Sequence, residues 1–267
     1  MKILINNELV DDDDANLGVY DLGLNRGFGV FDFFRISNGK FRFFEDHLDR
    51  FLNSIRLANI PFHYSRHEVK HQIESLREIN SIENGFVRIT LTGGYSDNFA
   101  DIPKDSKLIV VVGKTQVGSQ SIKEGAALIS KYFLRSVPSI KTTNYFFAQM
   151  HRQEMLDRGA LDILYYTDTI TEASKANIFF VKGRQLYTPG KNILEGITRK
   201  KVLSLFPEAI IDDIPSEKMY DFDEAFVCSS TKEITPVLKI DDYVIGDGNT
   251  GSVTKAVSQK FLELTRL

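Results

Sequence analysis

The chain has 267 residues, a formal net charge of −3 and a pI near 6.0, and 42% of its residues are hydrophobic. A chain of this size and composition buries a sizeable core, in one large domain or two smaller ones. The near-neutral charge argues against a nucleic-acid partner, because such proteins concentrate basic residues on one face. The single cysteine, Cys228, excludes an internal disulfide and fits a reducing compartment. We find no signal peptide and no apolar run of membrane-spanning length, so we expect a cytoplasmic protein without a membrane partner.

The first part of the chain predicts strands followed by helices. Asn38-Gly39 separates two apolar stretches and marks a hairpin turn, because both positions tolerate a positive φ. Ser65 and Glu68 have the spacing of a capping box at a helix start. The predicted elements are strands at 30–36 and 41–44, helices at 45–59 and 65–79, and strands at 86–92 and 108–113.

The second part predicts shorter elements with many hairpins and few regular βαβ units. Gly159 is expected to end a helix, and Gly183-Arg184 is expected to turn between two strands. The predicted elements are strands at 126–130, 162–167, 177–182, 185–188, 225–229 and 237–245, and helices at 145–158, 196–206 and from 250 to the end.

Two motifs match known functional patterns without their required context. His67-Glu68-Val69-Lys70-His71 has the zinc-protease spacing, but both histidines are predicted to face water, opposite the apolar stripe of their helix. The segment at 246–251 has the glycine spacing of a dinucleotide-binding loop, yet too little chain follows it for the second strand of a βαβ unit. We therefore predict a capped surface helix and a glycine-rich turn, and no metal site.

Four segments of the second part carry hydroxyl side chains beside strands or at helix starts. A lone lysine is usually a solvated surface charge, but Lys141 lies between a strand-like stretch and a helix. An earlier segment, at 46–50, ends with Arg50 on a predicted helix. The four later segments are Ile140-Lys141-Thr142-Thr143-Asn144-Tyr145, Thr171-Glu172-Ala173-Ser174-Lys175-Ala176-Asn177, Leu194-Glu195-Gly196-Ile197-Thr198-Arg199 and Ser229-Ser230-Thr231-Lys232-Glu233-Ile234-Thr235-Pro236.

These five segments, in this order, resemble those of the class IV, or fold type IV, family of enzymes that depend on pyridoxal 5'-phosphate (PLP). The family includes D-amino acid transaminases, branched-chain amino acid aminotransferases and 4-amino-4-deoxychorismate lyases, and the resemblance spans nearly the whole chain. It implies a two-domain α+β fold and a homodimer. The implied domains are a small N-terminal α/β domain at 1–115, a linker at 116–123 and a larger PLP-binding domain at 124–267 with a β-barrel-like core.

The resemblance assigns the central chemistry to Lys141. A PLP enzyme needs a lysine amine to form a Schiff base with the cofactor and later to move a proton between substrate and cofactor. Glu172 is expected beside the pyridine nitrogen, where a carboxylate raises the nitrogen's pKa by stabilising the cation. The alternative for Glu172 is an ordinary hairpin carboxylate. Tyr145 is expected near the cofactor hydroxyl, as in the branched-chain enzymes.

The resemblance also implies a phosphate cup at a helix start. Free N–H groups and the helix dipole at Gly196 favour an anion, although the dipole alone contributes only ~0.3–1 kcal/mol. Fixed donors must add to it, and Leu194 is expected to pack on the cofactor ring. The predicted cofactor-binding residues are Arg50, Lys141, Tyr145, Glu172, Asn177, Leu194, Gly196, Ile197, Thr198, Ser230 and Thr231.

The substrate side departs from the best-known D-amino acid transaminases. Their arginine and histidine pair, two residues apart on the loop after the Arg88 strand, is missing from the segment at 93–98. Arg88 alternates with apolar residues and so points to the other face of its strand. We expect Arg26, Arg88 and Lys175 to bind the substrate carboxylate instead, unless the two arginines form structural ion pairs. Phe31 and Thr231 complete the predicted substrate-binding set.

The leading functional prediction is a transaminase that exchanges an amino group between an amino acid and a 2-oxo acid. D-amino acid and branched-chain substrates remain rivals, because aromatic residues favour an apolar side chain while the arginines favour a firmly held carboxylate. A second hypothesis is a 4-amino-4-deoxychorismate lyase, which shares the fold, Lys141 and the phosphate cup. A third is a non-catalytic protein with the same fold.

Overall fold

The computed structural model describes residues 1–114 and 125–265, which divide into two compact units. Of these residues, the first unit contains 1–114 and Ile140–Asn144, and the second contains 125–139 and 145–265. The linker predicted at 116–123 lies outside the described residues, so the predicted domain boundaries stay a prediction. No helix of the described chain is both long and apolar enough to cross a membrane.

The first unit is built on an antiparallel sheet. Among its described residues, six strands pair in the order β2-β1-β6-β5-β3-β4. The turn between β3 and β4 has φ values of 50° at Asn38 and 71° at Gly39, which confirms the predicted hairpin. The strands are β1 (Lys2–Ile5), β2 (Glu8–Asp11), β3 (Gly29–Ser37), β4 (Lys40–Phe41), β5 (Gly85–Thr92) and β6 (Lys107–Lys114).

Two helices, α2 (Phe44–Ala58) and α3 (Arg66–Ile79), pack on this sheet, and the short helix α1 (Leu22–Arg26) precedes β3. The predicted capping box is confirmed, because Glu68 N–H donates to Ser65 Oγ and Ser65 N–H donates to the Glu68 carboxylate. Phe51, Ile73 and Leu76 on these helices are buried against alternate strand residues, as burial of one sheet face requires.

The segment Ile140–Asn144 is part of the first unit although it follows more than ten residues of the second. Phe31 N–H donates to the Lys141 carbonyl over 2.9 Å, and Thr143 N–H donates to the Gly29 carbonyl over 2.9 Å. A bridge between Val30 and Thr142 lies between these bonds. The backbone of Lys141 is therefore held against the start of β3.

The second unit contains a larger, mixed sheet. Among its described residues, nine strands pair, eight of them in the order β12-β11-β10-β13-β14-β7-β8-β9, with β15 beside β14. The pairs β11–β12, β14–β7 and β7–β8 are parallel. The strands are β7 (Ala126–Tyr132), β8 (Ala160–Tyr166), β9 (Ile170–Ala173), β10 (Asn177–Lys182), β11 (Gln185–Pro189), β12 (Ile210–Asp212), β13 (Glu224–Ser229), β14 (Glu233–Ile240) and β15 (Tyr243–Val244).

Four helices accompany this sheet in the described part of the second unit. They are α4 (Phe146–Met150), α5 (Arg152–Asp157), α6 (Ile197–Leu205) and α7 (Ser252–Thr265). The helix predicted at 145–158 is thus two helices, because His151 has φ −93° and ψ 9° and leaves the helical region. Gly159, with φ 62°, follows the end of α5 as predicted.

Two predicted strands are wrong in length, and both errors involve a residue with positive φ. The strand predicted at 41–44 ends at Phe41, because Phe43 has φ 52° and precedes α2. The strand predicted at 237–245 is two strands, because Asp241, with φ 54°, turns the chain between β14 and β15. Asp241 is held there by Ser130, whose N–H donates to its carboxylate over 2.8 Å.

Candidate active site

Lys141 lies beside an aromatic ring in the first unit. Its Nζ is 4.7 Å from the centroid of Phe31, and its backbone N–H donates to Ser54 Oγ of α2 over 3.3 Å. Phe31 is only 7% exposed. The lysine backbone is thus fixed on two sides, by β3 and by α2, while its amine lies over a ring face that attracts cations.

A second cation shares this ring. The guanidinium carbon of Arg88 is 4.3 Å from the Phe31 centroid, and Arg88 itself is exposed. On β5 the flanking Val87 and Ile89 are buried, so the alternation predicted from the sequence is present. Arg88 and Lys141 therefore bring two positive charges to one phenyl ring.

Arg50 is bound to a carboxylate that the sequence analysis did not consider. Its Nε–H donates to Asp32 Oδ2 and its Nη2–H donates to Asp32 Oδ1, each over 2.9 Å. Asp32 is fully buried, and its Oδ1 also lies 2.7 Å from Nδ1 of the buried His47. The fork-on-fork contact fixes the plane of the guanidinium.

The charges of this cluster follow from its burial. Burial alone would raise the pKa of Asp32, but the charge of Arg50 and the hydrogen bonds from His47 and Arg50 lower it well below its usual range. Burial lowers the pKa of His47, which outweighs the opposite effect of Asp32. We infer a carboxylate, a guanidinium and a neutral imidazole whose Nδ1–H donates to Asp32, a cluster with no net charge.

Arg26, a predicted substrate ligand, is bonded to a loop of the first unit. Its Nε–H donates to the Phe99 carbonyl over 2.9 Å, and the Phe99 ring stacks on Tyr20 at 4.8 Å. Asn98 in the same loop accepts from the backbone of Asp101 over 2.9 Å. Arg26 therefore helps to hold this loop, which is the loop that lacks the arginine and histidine pair.

Glu172 lies in the second unit and binds an arginine. Its Oε1 accepts from Arg135 Nη1–H over 3.0 Å, and its Oε2 accepts from Leu194 N–H over 2.9 Å. Glu172 is 4% exposed. This carboxylate is thus buried and charge-paired, which an ordinary hairpin carboxylate rarely is.

The predicted phosphate turn is packed against Asn177. The Asn177 amide donates to the Leu194 carbonyl over 2.9 Å, and a Cβ atom added at Gly196 would collide with its side-chain oxygen. Gly196 is the N-cap of the nine-residue α6, and no side chain caps it among the described residues. Thr198, in the first turn, is buried. Glycine is therefore required at 196, and the backbone N–H groups of this helix start have no capping side chain.

The second predicted phosphate turn lies between β13 and β14. Ser229 Oγ lies 3.2 Å from Thr231 Oγ1 and accepts from Lys232 N–H over 3.1 Å. In this turn Thr231 is exposed and Ser230 is partly exposed. Tyr145, which precedes α4, is also partly exposed. The hydroxyls of this turn thus order its own backbone.

Lys175, the remaining predicted ligand, is exposed at the tip of a short turn. Ala173 N–H donates to the Ala176 carbonyl over 2.8 Å and closes that turn. Glu172 and Asn177 flank the same turn. The second unit therefore brings the segments at 172–177 and 194–198 together, as Asn177 and Glu172 show by their bonds to Leu194.

Three residues of these clusters, Asp32, His47 and Arg135, were absent from the predicted set. His47 lies in the segment that carries Arg50, three residues before it, so the helical spacing was an available signal. Asp32 and Arg135 have no comparable local signal. Their partners lie 18 and 37 residues away, and only strand and loop placement brings them together.

The motifs at 67–71 and 246–251, which match a zinc site and a dinucleotide-binding loop by spacing, both have structural explanations. His67 and His71 are exposed, and Glu68 belongs to the capping box. At 246–251, Gly246 and Gly248 have positive φ, and a Cβ atom at Gly251 would collide with the Glu224 carboxylate. That carboxylate accepts from the N–H groups at the start of α7, at 3.1 and 2.7 Å. The glycines form a turn, as predicted.

Comparison with known proteins places the chain in a family. The amino-transferase class IV family profile matches residues 29–240. A D-alanine aminotransferase of Listeria monocytogenes is 30% identical, with 98% of this chain and 96% of the relative aligned. A putative branched-chain-amino-acid aminotransferase of Methanocaldococcus jannaschii is 28% identical, with 99% and 96% aligned.

Solved structures agree on the fold. The branched-chain amino acid aminotransferase of Escherichia coli superposes with a TM-score of 0.91 at 23% identity, covering 98% of this chain and 94% of that one. The predicted two-part α+β architecture is confirmed by this similarity. The family profile covers most of the chain, and the Listeria relative aligns along nearly all of it. The chain belongs to the class IV aminotransferases, and its cofactor is PLP.

Proposed function

We propose that Lys141 is the lysine that bonds the cofactor in a transamination between an amino acid and a 2-oxo acid. The observation that carries this proposal is the double fixation of its backbone, by β3 and by Ser54, with the amine over the Phe31 ring. A nucleophilic amine must reach the same atom in each turnover. When the backbone is fixed, only the side-chain torsions of the lysine can vary.

Glu172 and the start of α6 have the chemistry to hold PLP. When bound, PLP withdraws electrons from the bond that breaks at the substrate Cα. Glu172, kept beside Arg135, supplies a buried negative charge for the pyridinium. The backbone N–H groups of Ile197 and Thr198, with the Thr198 hydroxyl, supply donors for the phosphate. Ser230, Thr231 and Arg50 are the further phosphate ligands that we propose, with Leu194 on the ring and Tyr145 near its hydroxyl.

Lys141 then has two tasks at stated atoms. With PLP bound, its Nζ would hold the cofactor carbon in the resting enzyme, and the amine, once released, would take a proton from the substrate Cα and return it to the cofactor carbon. Arg88 lies over the same Phe31 ring as Lys141, and we propose it as the cation that binds the substrate carboxylate.

We infer an amino acid with an apolar side chain as the substrate. Phe31 and the stacked Phe33 and Phe86, whose centroids are 5.2 Å apart, form an aromatic surface on the first unit. Arg88 supplies a cation beside it for the α-carboxylate. Arg26 and Lys175 stay candidates, although Arg26 already binds the Phe99 carbonyl.

Spectroscopy of a Lys141→Ala variant tests the central assignment. We expect the wild type to show the visible absorbance of lysine-bound PLP and the variant to lose it, together with turnover. The matched control is Lys239→Ala, which removes a half-exposed lysine from β14. Retention of that absorbance and of turnover in the Lys141 variant would rule the proposal out.

A half-reaction screen defines the substrate. The PLP form is mixed in turn with L- and D-amino acids, and bleaching of the absorbance band identifies the accepted series. D-alanine as the fastest substrate supports the D-amino acid type, and L-leucine or L-valine supports the branched-chain type. Sustained release of pyruvate from aminodeoxychorismate without an amino acceptor would instead indicate the lyase.

We also propose a homodimer in the cytoplasm, as the family resemblance implies. Large apolar side chains are exposed on the second unit at Tyr132, Leu134, Val137, Phe146 and Met150. Exposed large apolar side chains of this kind are common at subunit interfaces. Sedimentation equilibrium tests this point, and a monomer at micromolar concentration would contradict it.

A further inference from the structure

A buried ion pair adjoins the Ser229–Lys232 turn. The Lys232 ammonium donates to Asp162 Oδ2, and the two side chains are 10% and 1% exposed. Asp162 lies on β8 and Lys232 at the end of the turn, 70 residues later in the sequence. The pair therefore connects the turn that carries Ser230 and Thr231 to the centre of the second unit.

The other oxygen of Asp162 binds a second turn. Oδ1 accepts from Ser174 Oγ and from Ile163 N–H, the latter over 2.9 Å. Ser174 lies two residues after Glu172 in the turn that ends at Asn177. One carboxylate thus holds both turns that carry proposed PLP ligands, the one with Glu172 and the one with Ser230.

The backbone of Lys232 is bonded on both sides within the turn. Its N–H donates to Ser229 Oγ over 3.1 Å, and its carbonyl accepts from Thr235 Oγ1 over 2.8 Å. These bonds fix the backbone of Lys232 on both sides, and the ammonium fixes its side chain. The ammonium therefore links a turn with an ordered backbone to Asp162 of β8.

Stability alone explains this pair poorly. Removing two charges from water costs several kcal/mol for each ion, and well-packed apolar residues often replace a buried pair without loss of stability. The pair has no net charge, so it adds little potential for an anion. Its distinctive property is directional, because an ammonium and a carboxylate bond only in a narrow range of geometry.

We propose that Asp162 and Lys232 are positioning residues that set the spacing between the phosphate-binding turn and the Glu172 turn. The inference rests on the proposed function, which assigns PLP ligands to both turns. Correct spacing lets one cofactor engage the ring carboxylate and the phosphate donors together. Loss of the pair should therefore weaken the phosphate contribution to binding more than it weakens the fold.

The test compares PLP with pyridoxal, which lacks the phosphate. Dissociation constants of both are measured for the full-length chain and for Lys232→Met, Asp162→Asn and the double variant. We expect the ratio of the pyridoxal constant to the PLP constant to fall about tenfold in each variant, which corresponds to about 1.4 kcal/mol. A purely structural role would weaken both ligands equally and leave this ratio unchanged.

The double variant separates positioning from folding. A single variant leaves one buried charge without its partner and should unfold at lower urea concentration, whereas the double variant should recover the midpoint. We expect the ratio to stay low in the double variant despite that recovery. A ratio that returns to the wild-type value with the midpoint would overturn the proposal.

An exposed pair in the same unit provides the control. Lys182 and Asp223 form an ion pair with both side chains about half exposed. Lys182→Met should leave the ratio and the midpoint unchanged. The proposed function is tested separately, by the Lys141-dependent absorbance of the wild type. If a protein shows this absorbance but its variants keep the wild-type ratio of the pyridoxal and PLP constants, only the positioning role is contradicted.

Discussion

Each unit has a buried carboxylate–arginine pair, and the two pairs differ in which partner we propose to contact the cofactor. In the first unit Asp32 is fully buried and takes two donors from Arg50, which is 11% exposed. In the second unit Glu172 accepts from Arg135 and from the backbone N–H of Leu194. We interpret Arg50 as the functional cation of the first pair and Glu172 as the functional anion of the second.

The difference shows how one type of contact serves opposite purposes. Asp32 aligns the arginine that we propose as a phosphate ligand. Arg135 aligns the carboxylate that we propose to face the pyridinium. In each pair the positioning partner was invisible to the sequence analysis, and the proposed functional partner was predicted. Variants of the four residues should therefore separate effects on stability and cofactor binding from effects on catalysis.

The largest effect is expected for Asp32→Asn. The variant leaves the largely buried Arg50 charge without its carboxylate, and breaking a buried pair in this way costs about 3–5 kcal/mol. Urea unfolding of the apo-enzyme measures this loss. Asp49→Asn on α2, the helix of Arg50, removes a carboxylate that is 67% exposed, and as the control it should change the unfolding free energy little. A similarly small loss of unfolding free energy in the Asp32 variant would show that Asp32 is not needed to hold the Arg50 charge.

Glu172→Gln should act mainly on catalysis. The amide keeps the shape and the acceptor for Leu194 N–H but loses the charge proposed to hold the pyridinium. We expect kcat to fall on the order of 10²-fold, as for other preorganised electrostatic contacts. Single-turnover bleaching of the cofactor absorbance gives the rate. The exposed Glu208→Gln is the control, and an undiminished rate at 172 would contradict the assignment.

Arg88→Gln examines the cation beside Lys141. If Arg88 binds the α-carboxylate, the KM for the 2-oxo acid should rise roughly 10- to 100-fold, since loss of one charge-assisted contact costs roughly 1.5–3 kcal/mol. Steady-state kinetics with a saturating amino donor supply the constant. Arg56→Gln, an exposed arginine on α2, should leave it unchanged. An unaltered KM in the Arg88 variant would mean that the arginine is structural.

The smallest effect concerns pH. Burial depresses the pKa of His47 in the folded state, so its contribution to stability is present above the unfolded pKa of about 6.5 and is lost as pH falls below it. The apo-enzyme should lose up to about 1.4 kcal/mol of unfolding free energy per pH unit in that window from this residue.

His47→Gln is the variant that tests this pH dependence. It should remove that part of the slope below about pH 6.5, whereas His71→Gln, at an exposed histidine, should keep it. Urea midpoints at several pH values give the comparison. An equal slope in the wild type and the His47 variant would show that the imidazole of His47 is not held neutral.

Local chemistry explains which predictions succeeded. The Asn38-Gly39 turn and the Ser65 capping box were predicted correctly, because each depends on residues at most three positions apart. The helix predicted at 145–158 failed at His151, a residue without a breaking signal of its own. The missed pair of strands β1 and β2 turns at Asn6 and Asn7, which have φ values of 48° and 70°. Asparagine tolerates such values, so a signal was present there.

The sequence by itself determined the family, the cofactor and the order of the segments proposed to hold it, because these are properties of residue type and local spacing. Only the tertiary structure decided which charges face one another. The Asp32–Arg50, Arg135–Glu172 and Asp162–Lys232 pairs span 18, 37 and 70 residues. Strand register and helix packing set such contacts, and neither is encoded within a short window of the chain.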